Sequence, residues 1–431
     1  MADATSVHGR GAMRMLSVAA LGIGSMVGAG IFALLGQAAL MTGSDVYLSF
    51  AIGGVIALLS GYSYSRLAAR YPSSGGILDY FDRAFSSKVT AGGLSILYLV
   101  TQIVSIAMIA KTFGAYTDRL LIGDASEPHV ANAFASGIVI FLVVVNMIGS
   151  GTVGRIEELL VAAKLIILAI LLLAGVPSID PAMVTAGPTV SPATLFASVG
   201  LTFFAYAGYG MMTNAAGHVA RPEVTIPRAI FLAIGTVIVL YIGLSVVVLG
   251  NISQADLARF ASTAVAQAAQ PVLGNVGFVL VSIGALFATS SAITAALFCV
   301  LEISRGLAAK GQLPAVFEQP SWRHGTRGLL WVAGAILVMV NVFDLGSIAQ
   351  VAGATFLISY LGVFAAHWRL HSEVGGSRLV IVVGTALMTV VLAAFAVSLW
   401  STQPSAIAFT VLAVLGSLAV EWLVQRRRRT T

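Results

Sequence analysis

The chain reads G-I-G-S-M-V-G-A-G-I-F from Gly22 to Phe32, in the middle of its first long apolar segment. A second glycine-rich stretch, F-F-A-Y-A-G-Y-G from Phe203 to Gly210, lies in the middle of the sixth. Glycine weakens a helix by about 1 kcal/mol relative to alanine. Inside a membrane, an irregular backbone is tolerated only where protein buries it or where it lines a wet cavity. Interruptions at equivalent places in the first and sixth segments therefore predict two five-helix halves with a binding site between them.

The composition is that of an integral membrane protein. Of the 431 residues, 58% are hydrophobic and only 9% are charged, and the mean hydropathy is +0.97, whereas a soluble domain has about 25% charged residues. We predict an all-α fold with twelve membrane spans, numbered 1 to 12, of lengths that suit a bilayer. Their predicted bounds are 15–40, 46–67, 89–114, 131–149, 158–176, 194–216, 229–250, 272–304, 329–343, 346–368, 378–399 and 404–424.

The basic residues predict the orientation of these spans. With a cytoplasmic N-terminus, Arg119 and Arg259 fall in outside loops, Lys111 and Lys164 fall within spans, and the other 19 of the 23 Lys and Arg residues fall inside. This distribution follows the positive-inside rule, so the basic pI of about 9.6 reflects membrane topology and no nucleic acid partner is implied. We expect a multi-pass protein of the cell membrane with both termini in the cytoplasm. The predicted organisation is a tail at 1–14, a first inverted repeat at 15–176, a second at 194–368, two peripheral spans at 378–424 and a basic tail at 425–431.

An interrupted helix has free backbone groups of both polarities. The N–H groups that begin its second half carry partial positive charge and suit a carboxylate, whereas the C=O groups that end its first half suit an ammonium group. The two interruptions therefore predict a site for a zwitterionic substrate. We assign carboxylate binding to the N–H groups of Gly28, Ala29 and Gly30, and ammonium binding to the carbonyls of Ile23, Gly24, Phe204, Ala205 and Ala207. Tyr206 and Tyr209 are assigned to the side-chain pocket or a gate. Ser25 and Met26, which lie between the two sets of groups in span 1, are also assigned to the site. The alternative is that these glycines only allow close packing of helices, which is common in membranes.

Four stretches resemble the amino acid–polyamine–organocation (APC) superfamily of transporters. G-S-M-V-G-A-G-I-F resembles its first-helix signature, and F-F-A-Y-A-G-Y-G followed by R-P-E-V-T-I-P-R-A-I, Arg221 to Ile230, resembles its sixth helix and the loop that follows. Tyr71 to Gly76 and Ser304 to Pro314 resemble the ends of its second and eighth helices. The resemblance implies the leucine-transporter fold, with ten core helices in two inverted repeats and two peripheral helices. It also implies secondary active transport of L-amino acids by alternating access.

The chain departs from the superfamily where many relatives have acidic residues. Gly210 follows the interruption in span 6, and Gly217-His218 precedes the proline loop, at places where many relatives carry carboxylates. A cationic substrate would lack a partner for its second charge, and a charge inside a membrane needs one. We therefore expect a neutral amino acid as substrate.

Lys164 lies about seven residues into span 5. A charge in the bilayer core costs at least about 2.5–3.5 kcal/mol and tends to face a cavity, and burial makes a lysine a plausible proton carrier. The resemblance adds that proton-coupled relatives have a lysine at a similar place, flanked by span 8 hydroxyls, here Thr289, Ser290 and Ser291. Proton coupling is thus favoured over sodium coupling. The alternative is that Lys164 extends to the cytoplasmic headgroups, as we expect Lys111 to do at the outer face.

Other classes of function find little support in the sequence. Cys299 is the single cysteine, no His, Cys and acid cluster has metal-site spacing, and no phosphate-binding loop of an ATPase is present. We expect no metal, no cofactor and no enzyme activity. Two alternatives remain open: an exchanger or exporter of amino acids or amines with the same fold, and a non-transporting membrane sensor or partner subunit.

Overall fold

The computed structural model describes residues 13–73, 75–123, 128–148, 153–185, 190–219, 221–321 and 325–430. Nearly all of these residues are helical, and the described part of the chain has only two isolated β-bridges, Met13 with Val219 and Pro320 with Thr326. The prediction of an all-α membrane protein with about twelve spans is confirmed. Ten described helices are long and apolar enough to cross a bilayer, and two shorter apolar helices occupy the places of spans 1 and 9.

The region of the first five spans contains six long helices and four short ones. Span 1 is divided between Met15–Ala29 and Ile31–Thr42, and spans 2 to 5 are single helices. The helices of spans 2 to 5 are Val46–Arg70, Lys88–Leu121, Pro128–Ile148 and Val153–Gly175. Short helices between or after these spans are Gly43–Asp45, Ile77–Ala84, Val176–Ser178 and Pro181–Thr185.

The remaining spans follow in the predicted order. Span 6 combines an α-helix, Pro192–Thr202, with a 3-10 helix, Phe203–His218. Spans 7 to 12 are Pro222–Leu249, Ala264–Ala309, Arg327–Val342, Leu345–Arg369, Arg378–Thr402 and Pro404–Thr430. Short helices are Gln254–Phe260, Ala261–Thr263, Ala315–Phe317 and His371–Val374. The helix of span 8 begins at Ala264, before the predicted residue 272, because it includes a preceding helical segment that a kink at Gly274, with φ 67° and ψ −161°, joins to the rest.

The interruption in span 1 is a single residue. Gly30 separates the two helices with φ −84° and ψ −75°. Its N–H donates to the carbonyl oxygen of Met26 at 3.0 Å, and its own carbonyl accepts from the N–H of Leu34 at 3.0 Å. Local hydrogen bonding therefore continues through the break, which is shorter than the glycine content suggested.

Span 6 changes its helix type at Phe203 and is not opened into a loop. Sixteen consecutive residues, Phe203–His218, form a 3-10 helix. Runs of this helix longer than three or four residues are uncommon, and a 3-10 stretch inside a helix often marks a hinge or a sequence under strain. The change of type begins at the first residue of the stretch that the sequence singled out.

Burial separates the central spans from the outer ones. In the most apolar part of each span, 83% of residues are buried in span 3 and 78% in spans 6 and 10, against 28% in span 11 and 11% in span 12. Large apolar side chains such as Leu173, Trp331 and Trp400 remain exposed on outer spans. An exposed apolar face suits lipid contact in a membrane-spanning helix. The division into two inverted repeats stays a prediction.

Candidate functional site

A partly open cavity lies among spans 1, 3, 6, 8 and 10. Four polar side chains line it, those of Ser25, Tyr98, Gln102 and Ser105. The rest of the wall is formed by Ile109, Phe204, Ala205, Ala207, Gly208, Met211, Ala292, Ala296 and Phe356. None of these lining residues carries a charge.

The glycines of span 1 pack closely against spans 6 and 8. A Cβ added to Gly28 would lie 2.7 Å from the carbonyl oxygen of Ala288, and one added to Gly30 would lie 2.8 Å from the Cα of Ala205. Both contacts are closer than real Cβ atoms show. Close helix packing, the alternative role for these glycines, is therefore present. Carboxylate binding by the N–H groups of Gly28, Ala29 and Gly30 stays a prediction, because the Gly30 N–H is bonded to Met26 here.

Span 6 approaches span 1 equally closely at Gly208. A Cβ on Gly208 would lie 2.6 Å from the Ser25 hydroxyl oxygen and 2.7 Å from the Met26 nitrogen. The Ser25 hydroxyl donates to the Met211 sulfur at 3.0 Å. Ser25 therefore contacts span 6 directly at the edge of the cavity.

Side chains from three other spans hold carbonyl groups of the irregular segments. Lys164 of span 5 donates to the Gly24 oxygen at 2.5 Å. Tyr241 of span 7 lies 2.7 Å from the Met26 oxygen and 3.2 Å from the Ala205 oxygen. Tyr360 of span 10 donates to the Ala207 oxygen. Three of the carbonyls assigned to an ammonium group, those of Gly24, Ala205 and Ala207, thus have protein donors in this structure.

Lys164 is fully buried and directed at span 1. Its ammonium group does not extend to the headgroup region here, so the snorkelling alternative does not describe this structure. On span 8, Thr289 and Ser291 are buried and Ser290 is partly buried. The Thr289 hydroxyl donates to the Ala285 oxygen of its own helix at 2.7 Å. The role of these four residues in coupling stays a prediction.

The two tyrosines of the span 6 stretch are directed towards span 2. Tyr206 donates to the Phe50 oxygen at 2.9 Å, and the Tyr209 hydroxyl lies 2.5 Å from that of Ser60. Neither tyrosine lines the cavity. Tyr209 instead packs with Tyr64 and Tyr360, with ring centroids 5.6 Å apart in each pair. Their roles in a side-chain pocket or gate stay predictions.

Several cavity residues escaped the sequence analysis. Tyr98, Gln102 and Ser105 follow one another at helical spacing of four and three residues, which places them on one face of span 3. Phe356 faces the cavity from span 10. Polar residues at helical spacing in an apolar span indicate a polar face, but only the packing of the helices shows that this face lines the cavity.

Sequence comparison relates this chain to known membrane transport proteins. Residues 13–420 match the amino acid permease family. The inner membrane transport protein YbaT of Escherichia coli (strain K12) is 44% identical over 98% of this chain and 98% of its own length. The serine/threonine exchanger SteT of Bacillus subtilis (strain 168) is 24% identical over 84% of each chain. The chloroplastic cationic amino acid transporter 9 of Arabidopsis thaliana is 24% identical over 80% of this chain and 64% of its own.

The family match covers nearly the whole chain. It agrees with the resemblance of the glycine-rich motifs in spans 1 and 6 to the APC superfamily. These similarities identify a multi-pass membrane transporter of small molecules rather than an enzyme. The chain belongs to the amino acid permease family.

Proposed function

We propose that this protein is a proton-coupled transporter of neutral L-amino acids that works by alternating access between two five-span repeats. In this proposal it lies in a cell membrane with both termini in the cytoplasm. The observation that supports the proposal most directly is the buried ammonium group of Lys164, which is bonded to the Gly24 carbonyl beside the cavity. A titratable group on a buried residue that holds span 1 would link protonation to helix movement.

The lining of the cavity supports a neutral substrate. Its polar side chains are two hydroxyls from serines, one phenol and one amide. A lysine, arginine or polyamine substrate would bring a second positive charge with no carboxylate in this lining to receive it. A zwitterion brings equal and opposite charges, which backbone groups suffice to bind.

Substrate binding replaces hydrogen bonds that the chain makes to itself. The substrate carboxylate takes the N–H groups of Gly28, Ala29 and Gly30, so that Gly30 gives up its bond to Met26. The ammonium group binds among the carbonyls of the two irregular segments, next to Ser25. The carbonyls concerned are those of Ile23, Gly24, Phe204, Ala205 and Ala207. Because each backbone group exchanges a bond within the protein for a bond to the substrate, the free-energy cost of this rearrangement is small.

Protonation of Lys164 controls its hold on span 1. A charged donor forms a bond roughly twice as strong as a neutral one, so the ammonium form stabilises the arrangement in which Gly24 is bonded. Loss of the proton weakens this bond and allows span 1 to move. The hydroxyls of Thr289, Ser290 and Ser291 on span 8 form the other side of the coupling site in this proposal.

Uptake into proteoliposomes tests the coupling. Wild type is expected to concentrate a neutral amino acid in response to an imposed pH gradient without sodium. Lys164→Ala and Lys164→Arg are expected to lose this accumulation, because alanine has no proton to exchange and arginine keeps its proton at any relevant pH. Lys111→Met is the matched control, since Lys111 is a second lysine within a span and bonds Asn132 at 2.7 Å on span 4. Accumulation by Lys164→Ala would contradict the assignment, and a sodium requirement would replace the proton as coupling ion.

Exchange is the second candidate, and the similarity to the serine/threonine exchanger favours it. An exchanger moves labelled substrate only when the opposite side holds unlabelled substrate. Counterflow that persists without a pH gradient, together with no net uptake when a gradient is imposed, would support exchange. A non-transporting sensor would show neither, while still binding the ligand.

A further inference from the structure

The amide of Gln102 is fixed at one end and unpartnered at the other. Gln102 lies in the cavity wall on span 3 and is 4% exposed. Its Nε2 donates to the Tyr98 hydroxyl at 3.2 Å and lies 3.6 Å from the Cys299 sulfur. Asn214 also donates to that sulfur, at 3.9 Å. Within the described ranges, no residue donates a hydrogen bond to Gln102 Oε1.

The neighbouring Ser105 hydroxyl on span 3 is also oriented as an acceptor. The Ser105 hydroxyl donates to the Thr101 oxygen of its own helix at 2.7 Å, so its hydrogen is not available to the cavity. The Tyr98 hydroxyl accepts from Gln102 and keeps its own hydrogen available for donation. The surrounding wall, including Phe204 and Phe356, is apolar. This side of the cavity therefore offers hydrogen-bond acceptors in apolar surroundings.

We propose that Gln102 forms a side-chain subsite that selects small neutral amino acids carrying a hydrogen-bond donor, that is, a hydroxyl or carboxamide. The proposal rests on the proposed function, because the backbone groups of spans 1 and 6 bind the main chain of the substrate and leave its side chain to face span 3. An apolar substrate side chain would remove water from Oε1 and leave it unpaired. A site that binds a hydroxyl discriminates against an analogue without one for this reason.

The uncharged lining of the cavity also excludes substrates with charged side chains. An acidic substrate would bring a second negative charge, and no basic side chain is among the residues that line the cavity. A cationic substrate would meet neutral oxygens alone, without a carboxylate in the lining. Both cases leave an uncompensated charge in a confined site.

Threonine and valine provide the test, because they have nearly the same shape and differ by a hydroxyl. Wild type is expected to bind threonine about fivefold more tightly than valine, the ratio that one net hydrogen bond provides. In Gln102→Met, which keeps the length of the side chain, the ratio is expected to fall to about one, with valine affinity retained. Thr112→Val is the control. It also removes a buried polar group from span 3, but its hydroxyl bonds only Met108 and does not line the cavity.

The outcomes separate this inference from the function on which it rests. If wild type binds valine as tightly as threonine, or if Gln102→Met keeps the threonine preference, the subsite is wrong and amino acid transport stands. If wild type binds no amino acid, the proposed function fails and the subsite fails with it. The wild-type comparison needs no variant, so a folding defect in Gln102→Met cannot conceal a negative result.

Discussion

The hydroxyl of Tyr241 lies 2.7 Å from the carbonyl oxygen of Met26. The same hydroxyl lies 3.2 Å from the carbonyl oxygen of Ala205. Met26 belongs to span 1 and Ala205 to span 6, so one fully buried side chain of span 7 bridges both irregular segments. A hydroxyl has a single hydrogen to donate, and the two carbonyls therefore share it. Movement of span 1 relative to span 6 must redistribute this hydrogen bond.

Tyr241→Phe removes the bridge and keeps the ring. The ring packs with Phe50 and Tyr206 at centroid distances of 5.5 and 5.2 Å, and these contacts survive in the variant. We expect the free energy of unfolding to fall by about 1 kcal/mol, measured by thermal unfolding in detergent. Tyr116→Phe is a suitable control, because its hydroxyl contacts the Phe32 oxygen only at 3.4 Å and its loss is expected to change little. If Tyr241→Phe and wild type had equal melting temperatures, the bridge would not stabilise the fold.

Gly28→Ala is expected to destabilise the protein by about 1–3 kcal/mol through overpacking. The new methyl group would lie 2.7 Å from both the Ala288 oxygen and the Ala292 Cβ. Gly235→Ala on span 7 is the matched control, since a Cβ there meets no atom within 4 Å. Alanine favours the helix by about 1 kcal/mol over glycine, so this control is expected to be neutral or more stable. A stable Gly28→Ala variant with normal substrate binding would argue against a tight contact between spans 1 and 8.

Cationic compounds are expected to compete poorly for the site. Because no acidic side chain lines the cavity, we expect arginine, lysine and putrescine to need roughly 100-fold higher concentrations than a neutral amino acid to displace bound substrate. A competition binding assay measures this ratio directly. Displacement by arginine at the lower concentration would reverse the assignment of substrate charge.

Asp344 is expected to stabilise the start of span 10 in a pH-dependent manner. Its carboxylate accepts the backbone N–H of Ser347 at 2.9 Å, as an N-cap does. Burial opposes its ionisation, but hydrogen bonds from Ser347 hold its pKa below the ordinary value. Since the pKa is lower in the folded state, the stabilisation is complete above about pH 4 and is lost as the pH falls further.

Asp344→Ala tests this capping role. The variant is expected to lose about 1 kcal/mol of stability at pH 7. The difference from wild type should shrink in acid, where the wild-type carboxyl is protonated. A difference that stays constant between pH 7 and pH 3 would show that the charge of the cap does not matter.

The sequence predicted those features that depend on local composition. Glycine and charge content were enough to predict about twelve spans and an interruption within Gly22–Phe32, where the structure interrupts span 1 at Gly30. Lys164 was recognised because a lone lysine in an apolar helix is costly wherever it points. These arguments need no knowledge of neighbours in space.

Features that depend on neighbouring helices were not predictable. Nothing in the sequences of spans 7 and 10 indicated a role for Tyr241 or Tyr360, yet each bonds a carbonyl of an irregular segment. Lys111 bonds Asn132 of the adjacent span, a partner that the sequence did not indicate. Tyr206 and Tyr209 both contact span 2, and residues three apart lie on one face of a 3-10 helix, which has three residues per turn instead of 3.6. A helical-wheel argument for an α-helix misplaces such side chains progressively along the run.

The 3-10 helix Phe203–His218 also means that span 6 is stretched. A 3-10 helix rises about 2.0 Å per residue and an α-helix about 1.5 Å, so conversion of only four residues would shorten the span by about 2 Å. The same conversion would turn the following residues by roughly 80° about the helix axis. Span 6 thus holds extra length and twist within one element, and small changes in helix type near the cavity would displace its C-terminal end along the helix axis.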